Sequence, residues 1–241
     1  MIAVNHLQKT YRKHGKTVGL LDASFTVPNG QIVGILGTNG AGKTTLLRTM
    51  AGLLTQSGGT VKFDDETAQN SYARLSYITG EGSYFPCLTV GEYGALLADV
   101  HAAFDAKRYE KFCAFFDLNA ADKIATLSTG QRARVELAAG FAKKAEYYLM
   151  DEPFLGKDVF TRRDFLKLMS ATLHGGETIL LSTHYIDEIS SFIDRAIVLN
   201  EGVIAEDIDM ETMQKQGETL LDRMAAACHW DPDRYLTFEQ E

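Results

Sequence analysis

Cysteine is scarce in this 241-residue chain. Its three cysteines, Cys87, Cys113 and Cys228, lie far apart, are odd in number and form no CxxC pair. That argues against a disulfide framework and a zinc site, and it suits a reducing compartment. Long apolar runs are also missing. The longest, such as TILL and AIVL, have the size of buried strands. A membrane span needs roughly 20 apolar residues. The opening MIAVNHLQKTYRKHGK holds no extended apolar stretch, so no signal peptide is expected. Any link to a membrane must then run through a partner. Positive charge is in deficit: 24 Lys and Arg face 32 Asp and Glu, for a net charge of -8. A strongly basic nucleic-acid surface is therefore not expected. There is no internal repeat and no low-complexity tract.

What is present suits a large folded unit. Hydrophobic residues make up 45% and charged ones 23%, enough to build a substantial core. Residues 2–11 and 17–27 read as strands around a polar turn. Pro28-Asn29-Gly30 is a turn signal. QIVGIL (31–36) is a short buried strand, followed by a glycine-rich loop and a helix from near Gly42. GTVKF (59–63) and RLSYIT (74–79) are further strands. From about 88 to 145 the spacing becomes helical, as in VGEYGALLADVHAAF. Strands return with AEYYLM (145–150), TILLS (178–182) and RAIVL (195–199). The tail after Ile208 is polar and helix-prone. Strands alternating with helices predict a mainly parallel sheet with a helical insertion.

ILGTNGAGKTTLL carries Gly37-x-x-x-x-Gly42-Lys43-Thr44, a phosphate-binding loop placed between a strand and a helix. Its glycines let backbone N–H groups turn inward, and the helix start adds partial positive charge. Lys43 would reach the β- and γ-phosphates, and Thr44 would give its hydroxyl to Mg²⁺. The bland alternative is coincidence in a glycine-containing loop. This pattern does not separate a kinase, a GTPase and a transport ATPase.

YYLMDEP (147–153) is an apolar strand ending in two acids. Asp151 can hold Mg²⁺, directly or through water. Glu152 is then the candidate base that polarises the attacking water. The local alternative is an exposed acidic turn. In LSTGQRARVELAAG, Ser128 and Gln131 read locally as a capping box on a helix start.

The order GTNGAGKTT, LSTGQ, YYLMDEP, GKD, STH, with the helical insertion, resembles the nucleotide-binding domain of ABC transporters. The resemblance runs from about residue 2 to 206. LSTGQ before the apolar-DE motif is its most specific part. Thr129 stands where the family usually has glycine.

The resemblance implies an α/β fold: a P-loop NTPase core with a mainly parallel sheet, an N-terminal antiparallel β region and an inserted helical subdomain. Residues 1–208 would form the ATPase domain, with the helical subdomain at about 88–145, and 209–241 a short helical tail. The implied activity is ATP hydrolysis coupled to transport, with ATP and Mg²⁺ as cofactors. Two such subunits, identical or different, would pack head to tail with integral membrane permease subunits, at the cytoplasmic face of the membrane. The short helical region and tail look more like an export-type subunit.

ATP would contact Gly37, Thr38, Asn39, Gly40, Ala41, Gly42, Lys43, Thr44 and Thr45 of one subunit, and Ser128, Gly130 and Gln131 of the other. Lys43, Glu152 and His184 would be the catalytic set, and Thr44 and Asp151 the metal ligands. Tyr11 sits where the family stacks an aromatic on adenine; locally it is a strand-end tyrosine. His184 matches the histidine that meets the γ-phosphate; locally it is a cap or surface residue. Asp158 matches the loop that crosses to the partner site, with Lys157 in place of the usual leucine; locally it is an N-cap.

One departure stands out. Aligned through SYIT and YFPCLTV, the position where the family has Gln or Glu is Gly80. Either the adjacent Glu81 takes over or the link from the site to the membrane partner is weakened. Tyr84 and Phe85 are candidates for contact with the permease, with core packing as the alternative. The competing functions are a soluble ABC-type ATPase acting on nucleic acid or ribosomes, and a nucleotide-binding module with little turnover.

Overall fold

Apolar alternation builds the sheet, and interruptions of that alternation mark its bends. In the computed structural model, the described residues are 1–13, 16–80, 82–154, 162, 165–167, 169 and 176–230. β1 (Ile2–Lys13) buries Ile2 and Val4, then Leu7. Its phase changes at a bulge between Val4 and Leu7, where His6 has a φ of 45°. β2 (Lys16–Val27) pairs antiparallel with β1, and β4 (Gly58–Phe63) pairs antiparallel on the other side of β1.

The remaining strands are β3 (Ile32–Gly37), β5 (Leu75–Thr79), β6 (Tyr147–Asp151), β7 (Thr178–Ser182), β8 (Arg195–Asn200) and β9 (Val203–Asp209). All nine join one sheet in the order β4-β1-β2-β9-β8-β3-β7-β6-β5. The block β8-β3-β7-β6-β5 is parallel throughout. β6 and β7 are buried at every residue, as expected for parallel strands covered on both faces.

Side chains along these strands alternate between two cores. Leu36, Tyr148, Met150, Ile179, Leu181, Ala196 and Val198 face one core. Val33, Ile35, Tyr147, Leu149, Leu180, Ile197 and Leu199 face the other, which also takes Leu46, Leu47 and Met50 of α1 (Lys43–Met50). The first core is filled from α2 (Val90–Val100), α3 (Ala106–Phe115) and α4 (Thr129–Ala142). α5 (Ile186–Ile189), α6 (Met210–Lys215) and α7 (Leu220–Ala227) complete that side.

The strand reading holds with shifts of one or two residues at the ends. β9 was not anticipated. It returns antiparallel on β8 through Glu201 and Gly202, with φ of 47° and 84°. Two successive positive φ values give the hairpin a twist that matches its strands. No helix among the described residues is long and apolar enough to cross a membrane.

Candidate active site

The site forms where β3, β6 and β7 end side by side, since Asp151 pairs with Ser182 and Ile35 with Ser182 in register. Ligands of open α/β sheets bind beyond such carboxyl ends. Gly37 ends β3 at a φ of 142°. A Cβ there would lie 2.2 Å from the Leu199 carbonyl oxygen, so only glycine lets the chain turn against β8. The loop then passes through Gly40 to Gly42, the left-handed N-cap of α1.

Lys43 is buried and donates from Nζ to the carbonyl oxygens of Gly37 (2.8 Å) and Thr38 (3.1 Å). Burial pushes its pKa down, opposed by the nearby carboxylates of Glu152 and Asp151. A concavity of about 270 Å³ opens here, lined among others by Gly19, Asn39, Gly40, Lys43, Thr44 and Glu152. Gly42 and Thr45 also line it.

Asp151 is the most constrained group of the site, at 4% exposure. Its Oδ1 accepts from Thr44 Oγ1 and from Ser182 Oγ, both at 2.9 Å. Its Oδ2 accepts from the Tyr77 hydroxyl at 3.0 Å. Arg48 Nε lies 3.3 Å from that hydroxyl and 3.9 Å from Oδ2. Burial and then the Asp151 charge hold the Tyr77 phenol well above its usual range, so it remains a donor. Thr44 and Asp151 are the paired hard oxygens that Mg²⁺ takes when phosphates and water supply its other ligands, so the residues fit the ion.

Glu152 follows in a left-handed conformation, φ 49°. Such backbone costs about 1–3 kcal/mol and is held by surrounding contacts. Here the Glu152 N–H donates to both the carbonyl (3.1 Å) and the hydroxyl (3.0 Å) of Ser182. The turn sets Glu152 Oε2 at 3.0 Å from His184 Nδ1. The His184 ring also lies on Tyr185, with centroids 4.0 Å apart. Thus the structure brings together Lys43, Thr44, Asp151, Glu152 and His184. Tyr11 does not line the concavity, but it packs beside Gly19, which does. It is 42% exposed, and its ring packs on Gly19, coming within 3.1 Å of where a Cβ would stand.

Ser128, Gly130 and Gln131 do not line this concavity. The capping box forms: Ser128 Oγ accepts from the Gln131 N–H (3.2 Å), and Gln131 Oε1 accepts from the Ser128 N–H (3.0 Å). Ser128 and Thr129 are exposed, and a Cβ on Gly130 would meet nothing within 4 Å. Among the described residues, the N–H groups of Thr129 and Gly130 have no acceptor. Both local capping and an open helix start therefore coexist.

The Gly80 N–H donates to the Asp151 carbonyl at 3.0 Å. Glu81, Lys157 and Asp158 lie outside the described residues. Tyr84 is half-buried and packs on the core, whereas Phe85 is 54% exposed. Sequence reasoning missed Tyr77, Arg48 and Cys228. Arg48 had a signal: it lies four residues after Thr44 on α1, hence on the same face. Cys228, at the end of α7, reaches the phosphate loop. Burial raises its thiol pKa, opposed by the Thr38 N–H and the Lys43 charge.

Comparison with known proteins bears on the whole arrangement. The family model described as "ABC transporter" matches residues 20–155. The manganese transport system ATP-binding protein MntB of Bacillus subtilis is 33% identical over 81% of this chain and 82% of its own. The doxorubicin resistance ATP-binding protein DrrA of Mycobacterium tuberculosis is 31% identical, covering 90% of this chain and 69% of its own. A solved ATP-binding subunit of an ABC transporter superposes with a TM-score of 0.82 at 24% identity, over 95% of this chain and 99% of that one. A second fold neighbour is a dimeric ATP-binding cassette bound to ADP and Pi (TM-score 0.78, 23% identity, 87% and 99% covered). With more than half its length matched by the family model and relatives above 30% identity across four fifths of it, the chain belongs to the ABC transporter family as an ATP-binding, Mg²⁺-dependent ATPase subunit.

Proposed function

We propose that this chain powers an exporter by ATP-driven closure of two subunits, each ATP lying between the phosphate loop of one and Ser128–Gln131 of the other. The observation that carries this reading is the open start of α4, with two N–H groups free to meet an anion. The reading takes residues 1–208 as the ATPase unit, the helices within 88–145 as its inserted part and 209–241 as a tail. The chain works at the cytoplasmic face through permease subunits, with Phe85 exposed toward them. Nucleic acid is not among the partners.

In this reading Gly37 to Thr45 wrap the phosphates, Lys43 neutralises the β- and γ-oxygens, and Tyr11 stacks on the base. Thr44 and Asp151 hold Mg²⁺, which when bound screens the phosphate charge. Ser182 and Tyr77 fix the Asp151 carboxylate. Glu152 polarises the attacking water through Oε1, while His184 holds Oε2 and meets the γ-phosphate. Ser128, Gly130 and Gln131 complete the pocket from the partner.

Export is supported by the doxorubicin-resistance relative. A second reading, transport of a metal ion, is supported by MntB and by the zinc transport system protein TroB of Treponema pallidum, 32% identical over 85% of this chain and 80% of its own. The deciding experiment is co-purification of the chain with its permease, reconstitution in vesicles and measurement of ATP-driven flux. Extrusion of an amphipathic fluorescent drug supports export. Radioactive manganese or zinc flux with no drug movement supports the second reading. ATPase activity stimulated by RNA, with no membrane partner, overturns both.

A further inference from the structure

Glu136 is a carboxylate buried to 4% exposure in the middle of α4, between Val135 and Leu137, both also buried. No cation pairs with it among the described residues. A lone buried carboxylate is costly unless hydrogen bonds hold it, and an apolar residue would fill this interior at less expense. Its hydrogen bonds come from two adjacent residues of another segment, Ser83 and Tyr84. Oε1 accepts from the Ser83 N–H at 2.7 Å, and Oε2 accepts from Ser83 Oγ at 2.8 Å. The Tyr84 N–H also points at it.

Ser83 follows closely on Gly80, whose N–H is fixed to the Asp151 carbonyl. Further along α4, Ser76 Oγ of β5 donates to the Gly140 carbonyl at 2.9 Å. There a Cβ on Gly140 would lie 2.3 Å from Ile78 Cγ1, so helix and strand are in close contact. The start of α4 at Ser128–Gln131 lies five to eight residues before Glu136, on one rigid helix. Ser83 and Glu136 also border a cavity of about 290 Å³ between α2, α4 and β5.

We propose that Glu136 is a positioning residue: it locks residues 82–84 to α4, so that they and the Ser128–Gln131 helix start move as one body when nucleotide binds. The lock ties Ser83, three positions past the Gly80 N–H that meets Asp151, to the helix that begins at Ser128–Gln131. The proposal rests on the two-subunit reading above.

The test uses Ser83→Ala, Glu136→Ala and Glu136→Gln in the full chain. Glutamine keeps an acceptor for the Ser83 N–H. Glu136→Ala should lower kcat for ATP about tenfold with KM little changed, Glu136→Gln should recover most of it, and Ser83→Ala, which loses only the hydroxyl bond, should fall between them. Amide exchange supplies the second readout. Adding MgATP should change protection at 82–84 and at 128–131 together in the wild type and separately in Glu136→Ala. Folded variants with wild-type kcat and joint exchange changes overturn the proposal, even if their melting temperature falls. Failure of the two-subunit reading looks different: Glu152→Gln stays monomeric with MgATP. The exchange comparison then still decides the lock, because it is read within one chain.

Discussion

At the scale of single residues, the site is a set of short-range polar contacts around Asp151 and Glu152. Under the proposed function, Glu152→Gln keeps size and backbone preference but removes the charge that would polarise water. Turnover should fall by about 10²-fold or more while MgATP binding persists, as read by steady-state ATPase and nucleotide titration. Lys143 offers a pH test away from the site. It is buried at the end of α4 and donates to the Tyr72 carbonyl at 2.7 Å. Burial lowers its pKa from 10.5 to about 8. The unfolded chain therefore binds the proton more tightly between these values. Burying the ammonium opposes folding fully below pH 8, and that burden is relieved as pH rises from 8 toward 10.5. Relative to Lys143→Met, the wild type should gain stability across that window in urea melts followed by circular dichroism. A flat difference between the two proteins across the window would contradict this.

Elements are placed by how closely they approach. α4 sits tightly on β5 because Gly140 has no side chain to meet Ile78. Gly140→Ala should cost about 1–3 kcal/mol by overpacking, despite alanine's better helix propensity. Pairing it with Ile78→Ala should cost less than the sum of the single changes, measured by a double-mutant cycle. The other end of α4 separates cap from chemistry. Ser128→Ala removes an N-cap worth about 1 kcal/mol, a modest loss in melting temperature. Its loss of ATPase activity should be larger than that destabilisation explains. The capping box itself was legible in the sequence because it spans four residues. Its open face was not, because exposure depends on what packs nearby.

For the whole molecule, the central prediction is association. Glu152→Gln in MgATP should double in mass by light scattering, and removal of nucleotide should return it to one chain. ADP should not support the doubled species. Association that is indifferent to nucleotide would count against closure driven by ATP. The net charge of -8 also favours screening by salt, so the doubled species should gain in moderate salt rather than dissolve.

The sequence by itself determined the parts whose physics is local. A strand declares itself by apolar runs, a phosphate loop by glycines before Lys43 and Thr44, and a helix start by Ser128 and Gln131. These need only neighbouring residues, which is why their order already indicated the family. Tertiary structure decided what meets across long separations. Thr44 reaches Asp151 across 107 positions, and Ser83 reaches Glu136 across 53. It also separated Tyr84, packed on the core, from the exposed Phe85. Such pairings follow from sheet order and strand register, which no local pattern encodes. LSTGQ could be read as a cap from its own letters, but only the fold leaves the N–H groups of Thr129 and Gly130 without an acceptor among the described residues.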